Sequence, residues 1–158
     1  MTTRQPNSRH CFVCGLANPF GLKLRFFETS PGEITADYTV SEEYQGYPGV
    51  VHGGIVAAML DEISGRALMN GDPPRFMFTA RLDIHYRKNV PVGQPLHLVG
   101  KAGTTKRRSA TATGQIFDAQ GMLLAEAEAV LVDIPENVIQ ATNLEALGWK
   151  VYEDDDDR

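Results

Sequence analysis

The chain has 158 residues, 42% of them hydrophobic and 22% charged, with a formal net charge of −5. That length fits one domain burying roughly 70% of its unfolded surface around a single core, and the composition excludes collagen, wholesale disorder and a disulfide scaffold. The acidity is local: residues 153–157 supply five of the twenty acids, and without that end, Arg158 included, fourteen bases face fifteen acids, which argues against a nucleic-acid-binding body.

Residues 1–21 read as an irregular lead-in with Pro6, Pro19 and several glycines. Its first ten residues lack the apolar stretch of a secretory signal, and no apolar run approaches the ~20 residues that cross a bilayer. With only Cys11 and Cys14 as cysteines, a cytoplasmic protein without a membrane partner is expected. Two strands follow, residues 22–28 and 33–40, with Pro31-Gly32 as the turn and Ile34, Ala36, Tyr38 and Val40 on one face of the second. Residues 41–51 form a loop leading to His52-Gly53-Gly54.

Residues 55–70 are the helix of this chain: rich in Ala, Met and Leu, free of proline, and stopped by Gly71-Asp72-Pro73-Pro74. The helix is apolar around most of its circumference, which predicts burial. The cleanest strand comes next, with Phe76, Phe78, Ala80, Leu82, Ile84 and Tyr86 alternating against Thr79, Arg81, Asp83, His85 and Arg87. Strands over 96–103, 109–117 and 122–133 complete the domain. Ala125, Ala127 and Ala129 share one face of the last, small enough for a helix to pack closely. Residues 138–147 read as a short terminal helix and the acidic end as disordered. One apolar helix beside a strongly curved antiparallel sheet buries best if the sheet wraps it, an α+β architecture. The divisions are then a lead-in (1–21), the domain proper (22–135) and a C-terminal extension (136–158).

Several residues could carry chemistry. The glycines at 53 and 54 let another group approach the backbone, and the first helical amides, aided by the helix dipole, suit a developing oxyanion; the same pair also makes a plain loop-to-helix junction. Glu62 lies four residues before Arg66, the favourable spacing for an exposed ion pair. Asp61 has no base on its face, among Ala57, Ala58, Ser64, Gly65 and Leu68, and a carboxylate there is costly unless paired or used. Asp61 lies roughly 12 Å along the axis from Gly53, whereas groups acting on one carbon must come within ~3–3.5 Å of it. If both act together, the second comes from another copy, and a two-fold dimer makes two such sites.

The string Gly49-x-x-His52-Gly53-Gly54-(x)6-Asp61, followed by Thr79-Ala80-Arg81-Leu82-x-Ile84-x-Tyr86 and the turn Pro91-Val92-Gly93, resembles the PaaI-like hotdog-fold acyl-CoA thioesterases over residues 11–132. The lead-in His10-Cys11-Phe12-Val13-Cys14-Gly15 with Asn18-Pro19 and Gly21-Leu22 is similar to that of a subset of them. The resemblance implies a hotdog fold, a curved antiparallel sheet around one central helix, and hydrolysis of acyl- or aryl-CoA thioesters at the interface of a homodimer, or of a dimer of dimers. Asp61 would be nucleophile or general base, and the opposing Gly53 N–H would hold the thioester oxygen. His52 would shape the loop or hydrogen-bond near the thioester, and Thr79 would position Asp61 or the water. Gly54 joins the substrate-binding set, with Lys106, Arg107 and Arg108, helped by Arg87 and Lys88, available to coenzyme A phosphates or else forming a solvated turn. No metal or cofactor is expected beyond the coenzyme A of the substrate.

Three features stand apart from that pattern. Many relatives carry Asn six residues before the histidine; here the position is Gly46, leaving its role to Gln45, to Tyr44 or to nothing. A non-catalytic acyl-CoA-binding module is therefore the alternative reading, with an enoyl-thioester hydratase less favoured because no histidine follows Asp61 on the helix. Strict alternation puts Thr79 on the face away from the helix, so a bulge or a strand end is needed to bring it to Asp61. Cys11-x-x-Cys14 with His10 hints at zinc, but structural sites take four ligands and no second pair exists, so packing or turn structure is the favoured reading.

Overall fold

A computed structural model describes residues 1–71 and 74–153. Strands β1 (Thr3–Arg4), β2 (Phe27–Ser30) and β3 (Glu33–Thr39) precede α1 (Gly53–Arg66). Strands β4 (Met77–Tyr86), β5 (Pro95–Thr105), β6 (Ser109–Asp118) and β7 (Leu123–Asp133) follow, then the short helix α2 (Glu136–Ala141). The seven strands form one antiparallel sheet in the order β1-β2-β3-β5-β6-β7-β4, which leaves the long strand β4 at one edge. Helix α1 joins β3 to β4 across the sheet and packs on β3 to β7, the architecture expected of one helix wrapped by a sheet.

The helix sits close because the sheet beneath it is built of small residues. Ala125, Ala127 and Ala129 are buried as anticipated. Two glycines do more: a Cβ at Gly100 on β5 would overlap the Ile63 carbonyl, and one at Gly114 on β6 would stand 2.7 Å from Ser64 Oγ. The buried face of α1 carries Val56, Met59, Leu60 and Ile63 against Ile34, Ala36, Leu98 and Ile116. Ser64 spends its hydroxyl on the Leu60 carbonyl at 2.7 Å, so it brings no unsatisfied group into the core.

Four expectations need correction. Residues 22–26 are not strand: Leu22, Leu24 and Phe26 are buried, but their backbone bonds the lead-in, Leu22 N–H to Phe12 O and Leu24 N–H to Val13 O. Helix α1 starts two residues earlier than read and ends at Arg66, where Leu68 and Met69 tighten into i−3 bonds to Gly65 and Arg66. The lead-in is less irregular than its composition suggests, since β1 pairs with β2. The terminal helix occupies Glu136–Ala141 only; the chain then folds back, with Asn7 and Lys150 bridged and Trp149 against Phe76 at 5.3 Å. The acidic run at 154–157 lies outside the described residues.

Candidate active site

His52 caps α1. Its backbone is extended (φ −57°, ψ 135°), and its Nδ1 accepts the Gly54 N–H at 2.9 Å. In the neutral ring the remaining hydrogen is then on Nε2, facing outward as a donor. This spends the amide of Gly54, so that residue contributes space: a Cβ there would press on the imidazole at 3.1 Å. Gly53 N–H is the first amide of the helix, and among the described residues nothing accepts from it. Tyr86, at the far end of β4, donates its hydroxyl to the Gly53 carbonyl at 2.8 Å and pins the helix start. That role was not assigned from sequence, although inward alternation with Leu82 and Ile84 placed the ring on this face.

Asp61 lies two turns further along the helix. Thr79 Oγ1 donates to Asp61 Oδ1 at 2.6 Å, leaving Oδ2 without a protein partner among the described residues. Thr79 reaches it through a β-bulge. In the β4–β7 register Thr79 faces Leu131 while Arg81 faces Val130, so Ala80 is the extra residue. The bulge puts Met77 and Thr79 on the inward face with Leu82, Ile84 and Tyr86, and turns Phe78 and Ala80 outward. Phe78 is therefore half exposed rather than core.

The loop before the helix shows what stands where an asparagine would. Gly46 lies against His52, its absent Cβ 3.3 Å from the His52 Cα. Gln45 Oε1 accepts the Gly49 N–H at 3.2 Å, and Tyr44 donates to Phe20 O and Gly21 O at 2.7 and 2.9 Å. Neither side chain replaces the missing amide. A cleft of about 540 Å3 opens at this helix start, lined by Gly46, Tyr47, His52, Gly53, Tyr86 and Lys88. Lys106, Arg107 and Arg108 are in the β5–β6 turn, where Asp133 N–H bonds Arg108 O and Arg75 bonds Lys106 O, at the strand end that holds Thr79. Of the basic residues considered, Lys88 alone lines the cleft; Arg87 is paired with Glu126 at 2.7 Å. A larger, shallower concavity of about 990 Å3 between Asp37, His97 and Phe117 contains none of these groups.

The Glu62–Arg66 pair forms at 2.9 Å but is not the exposed pair expected: Arg66 is only 2% exposed, stacked over Phe26 and Trp149 at 4.5 and 4.9 Å and donating to Pro6 O at 2.6 Å. Burial pushes the Glu62 carboxyl up to about 7, with Arg66 pulling the other way.

Residues 48–125 match the thioesterase superfamily, and the chain has the hotdog fold of that superfamily's solved structures. Among known proteins it is 25% identical over 108 residues to acyl-coenzyme A thioesterase 13 of Homo sapiens, covering 66% of this chain and 75% of that one. Its structure is similar to that of protein RHA08564, a thioesterase superfamily protein, with TM-score 0.72 and 34% identity over 79% of this chain; the match spans 61% of that longer chain. It shares its fold with the E. coli PaaI protein (TM-score 0.65, 14% identity, 72% of this chain and 81% of that one). The same holds for smu.793 from Streptococcus mutans UA159 bound to acetyl-CoA (TM-score 0.64, 19% identity, 70% and 88%). Among the described residues no helix is long and apolar enough to cross a membrane.

Proposed function

We propose that this protein hydrolyses acyl- or aryl-CoA thioesters as a homodimer, each site combining Asp61 and Thr79 of one copy with the Gly53 N–H of the other. The observation that carries the reading is the Thr79–Asp61 bond at 2.6 Å, which holds one carboxylate oxygen and leaves the other open. That oxygen accepts a proton from an attacking water, or itself attacks the thioester carbon. The carbonyl oxygen gathers charge as the new bond forms and is met by the free Gly53 N–H at the positive end of α1. Collapse expels the coenzyme A sulfur, which takes a proton; where water attacked, the acid leaves directly, and where Asp61 attacked, water then hydrolyses the acyl–Asp61 anhydride, releasing the acid and restoring the carboxylate. His52 Nε2–H is a second donor at the same helix start.

The edge strand supports the two-copy arrangement. Thr79 and Tyr86 both face inward on β4 and, with Ala80 bulged out of the ladder, lie three rungs to either side of a point at Asp83. A second β4 laid antiparallel about a two-fold axis at that point would set Thr79, which holds Asp61, across from Tyr86 of the partner subunit, which holds Gly53 of the partner subunit. The basic turn at 106–108 and Lys88 are then the cations available to the coenzyme A phosphates.

The test is a panel of acyl- and aryl-CoAs with a thiol reagent reporting free coenzyme A, the wild type turning over and Asp61→Ala not. Gly46, which puts bare backbone against His52, favours a non-catalytic acyl-CoA-binding module as the second reading. Saturable binding with no release of coenzyme A by any substrate would establish that reading and overturn hydrolysis.

A further inference from the structure

The lead-in carries a cluster that the chemistry at Asp61 does not use. Cys11-Phe12-Val13-Cys14-Gly15 makes a tight turn in which Gly15 N–H bonds Cys11 O at 2.8 Å and Cys14 N–H points at Cys11 Sγ at 3.4 Å. A Cβ at Gly15 would run into the Cys11 carbonyl, so this turn requires glycine. The fold then brings in a group from 51 residues away: Cys11 Sγ lies 3.8 Å from Glu62 Oε2. On the other side Ser8 Oγ lies 3.5 Å from Cys14 Sγ. Both sulfurs and the carboxylate oxygen fall within 4.8 Å of one another. The spacing of the two cysteines counts only two ligands; the third comes from tertiary structure.

We propose that Cys11, Cys14 and Glu62 form a binding site for a thiophilic divalent cation of the zinc class, with Ser8 Oγ or a water in the fourth position. The geometry fits. With Zn–S near 2.3 Å and Zn–O near 2.0 Å, a tetrahedral site has S–S edges of about 3.8 Å and S–O edges of about 3.5 Å. The S–O separations here are 3.8 Å to Glu62 and 3.5 Å to Ser8, so closure around a cation needs shifts of a few tenths of an ångström at most on these edges.

The charges also balance. Two neutral thiols, the Glu62 carboxylate and the Arg66 guanidinium sum to zero. Binding of a divalent cation releases two thiol protons, leaving two thiolates, one carboxylate, the cation and Arg66, which again sum to zero. Arg66 does not compete for the cation's place: its Nε holds Oε1, its Nη1 holds Pro6 O, and two rings stack on it, leaving Oε2 to face Cys11. The cluster opens on an apolar cavity of about 400 Å3 walled by Met69, Phe76, Leu144 and Trp149, which has room for the water. A bound ion would fasten the lead-in to α1 one residue beyond Asp61.

The test titrates chelator-stripped protein with Co2+ and then displaces it with Zn2+. One equivalent of Co2+ is expected to give a thiolate-to-cobalt charge-transfer band with the visible bands of a tetrahedral site, lost on Zn2+ addition. Cys11→Ser and Cys14→Ser should each abolish the site, and Glu62→Gln should weaken Co2+ binding by roughly tenfold or more. Zinc-edge absorption of the wild type, which needs no variant to fold, should show two sulfur and two oxygen or nitrogen neighbours. Absence of the charge-transfer band, a zinc shell without two sulfurs, or unchanged affinity in Glu62→Gln would each overturn the site.

Discussion

The two-copy site has a sharp test in a variant that replaces one backbone N–H with the ring nitrogen of proline. Gly53 is the first residue of α1, a position at which proline is favoured because its missing N–H makes no helical bond. His52 before it has ψ 135°, the extended conformation that a residue preceding proline prefers. A Cβ at Gly53 would meet Tyr86 Oη at 3.6 Å, an ordinary contact. Gly53→Pro should therefore fold and lack chiefly the donor. Loss of one oxyanion donor costs about 10²–10³ in kcat, or ~3–4 kcal/mol. Asp61→Asn should be at least as inactive. Co-expressing the two with different affinity tags and purifying the heterodimer creates one site bearing both lesions and one bearing neither. Its rate should be about half that of the wild-type dimer, although each parent is nearly inactive. A heterodimer no more active than the mean of its parents would mean that Asp61 and Gly53 of one chain serve the same site, and full activity in Gly53→Pro alone would remove that amide from the mechanism.

Four further outcomes are expected. Thr79→Val should lower kcat by about 10- to 100-fold with little change in KM, from ~1.5–3 kcal/mol for a hydrogen bond to a charged group, and Thr79→Ser should restore it; an unchanged kcat would leave Thr79 no positioning role. Changing Lys106, Arg107 and Arg108 together to Gln should raise KM for coenzyme A thioesters and not for thioesters of pantetheine, whereas equal effects on both would make the turn merely solvated. Gly100→Ala should destabilise the fold by ~1–3 kcal/mol or more, read as a lower urea midpoint at unchanged m, because its Cβ has no room beside the Ile63 carbonyl, and a neutral result would contradict that approach. Glu62, pushed up to about 7 from 4.5, binds its proton more tightly folded than unfolded. In metal-free buffer its stability contribution is therefore complete below about pH 4.5 and falls as pH rises through 7, by at most ~1.4 kcal/mol per unit, a slope that Glu62→Gln should flatten in thermal melts.

How far the sequence could be read depended on whether the signal was local. The period-2 alternation of residues 33–40 and the small-residue face at Ala125, Ala127 and Ala129 are properties of single strands, and the sheet confirms both. The helix was legible from composition, and the spacing from His52 to Asp61 fixed which residues stand at its start and middle. The face of Thr79 was not legible, because a bulge at Ala80 is decided by pairing with β7 and leaves no composition of its own. Residues 22–26 misled for the opposite reason. Their apolar pattern is real, but the lead-in, rather than a neighbouring strand, satisfies their backbone. The burial of Arg66 beside Glu62 needed Pro6, Phe26 and Trp149, 40 to 83 residues away from Arg66, and no helical periodicity carries that information.

The division of the proposed site between two copies follows from how α1 is fastened. Its start is tied to β4 by Tyr86 on the Gly53 carbonyl, and its middle by Thr79 on Asp61, both at hydrogen-bond distance. A helix held at two points on one strand cannot bend to bring Gly53 and Asp61 together, and its rise keeps them roughly 12 Å apart. The same two ties prepare each half for a partner: one presents a free amide at the positive end of the helix, the other a carboxylate with one oxygen fixed and one open. Rigid halves lose little ordering entropy when they meet, so a substrate spanning them encounters both groups already oriented. A loose tether at either end would let one chain approach self-sufficiency and would cost that orientation. On this argument the bulge at Ala80 is the decisive element of β4, since without it Thr79 would face away and Asp61 would lose the bond that orients it.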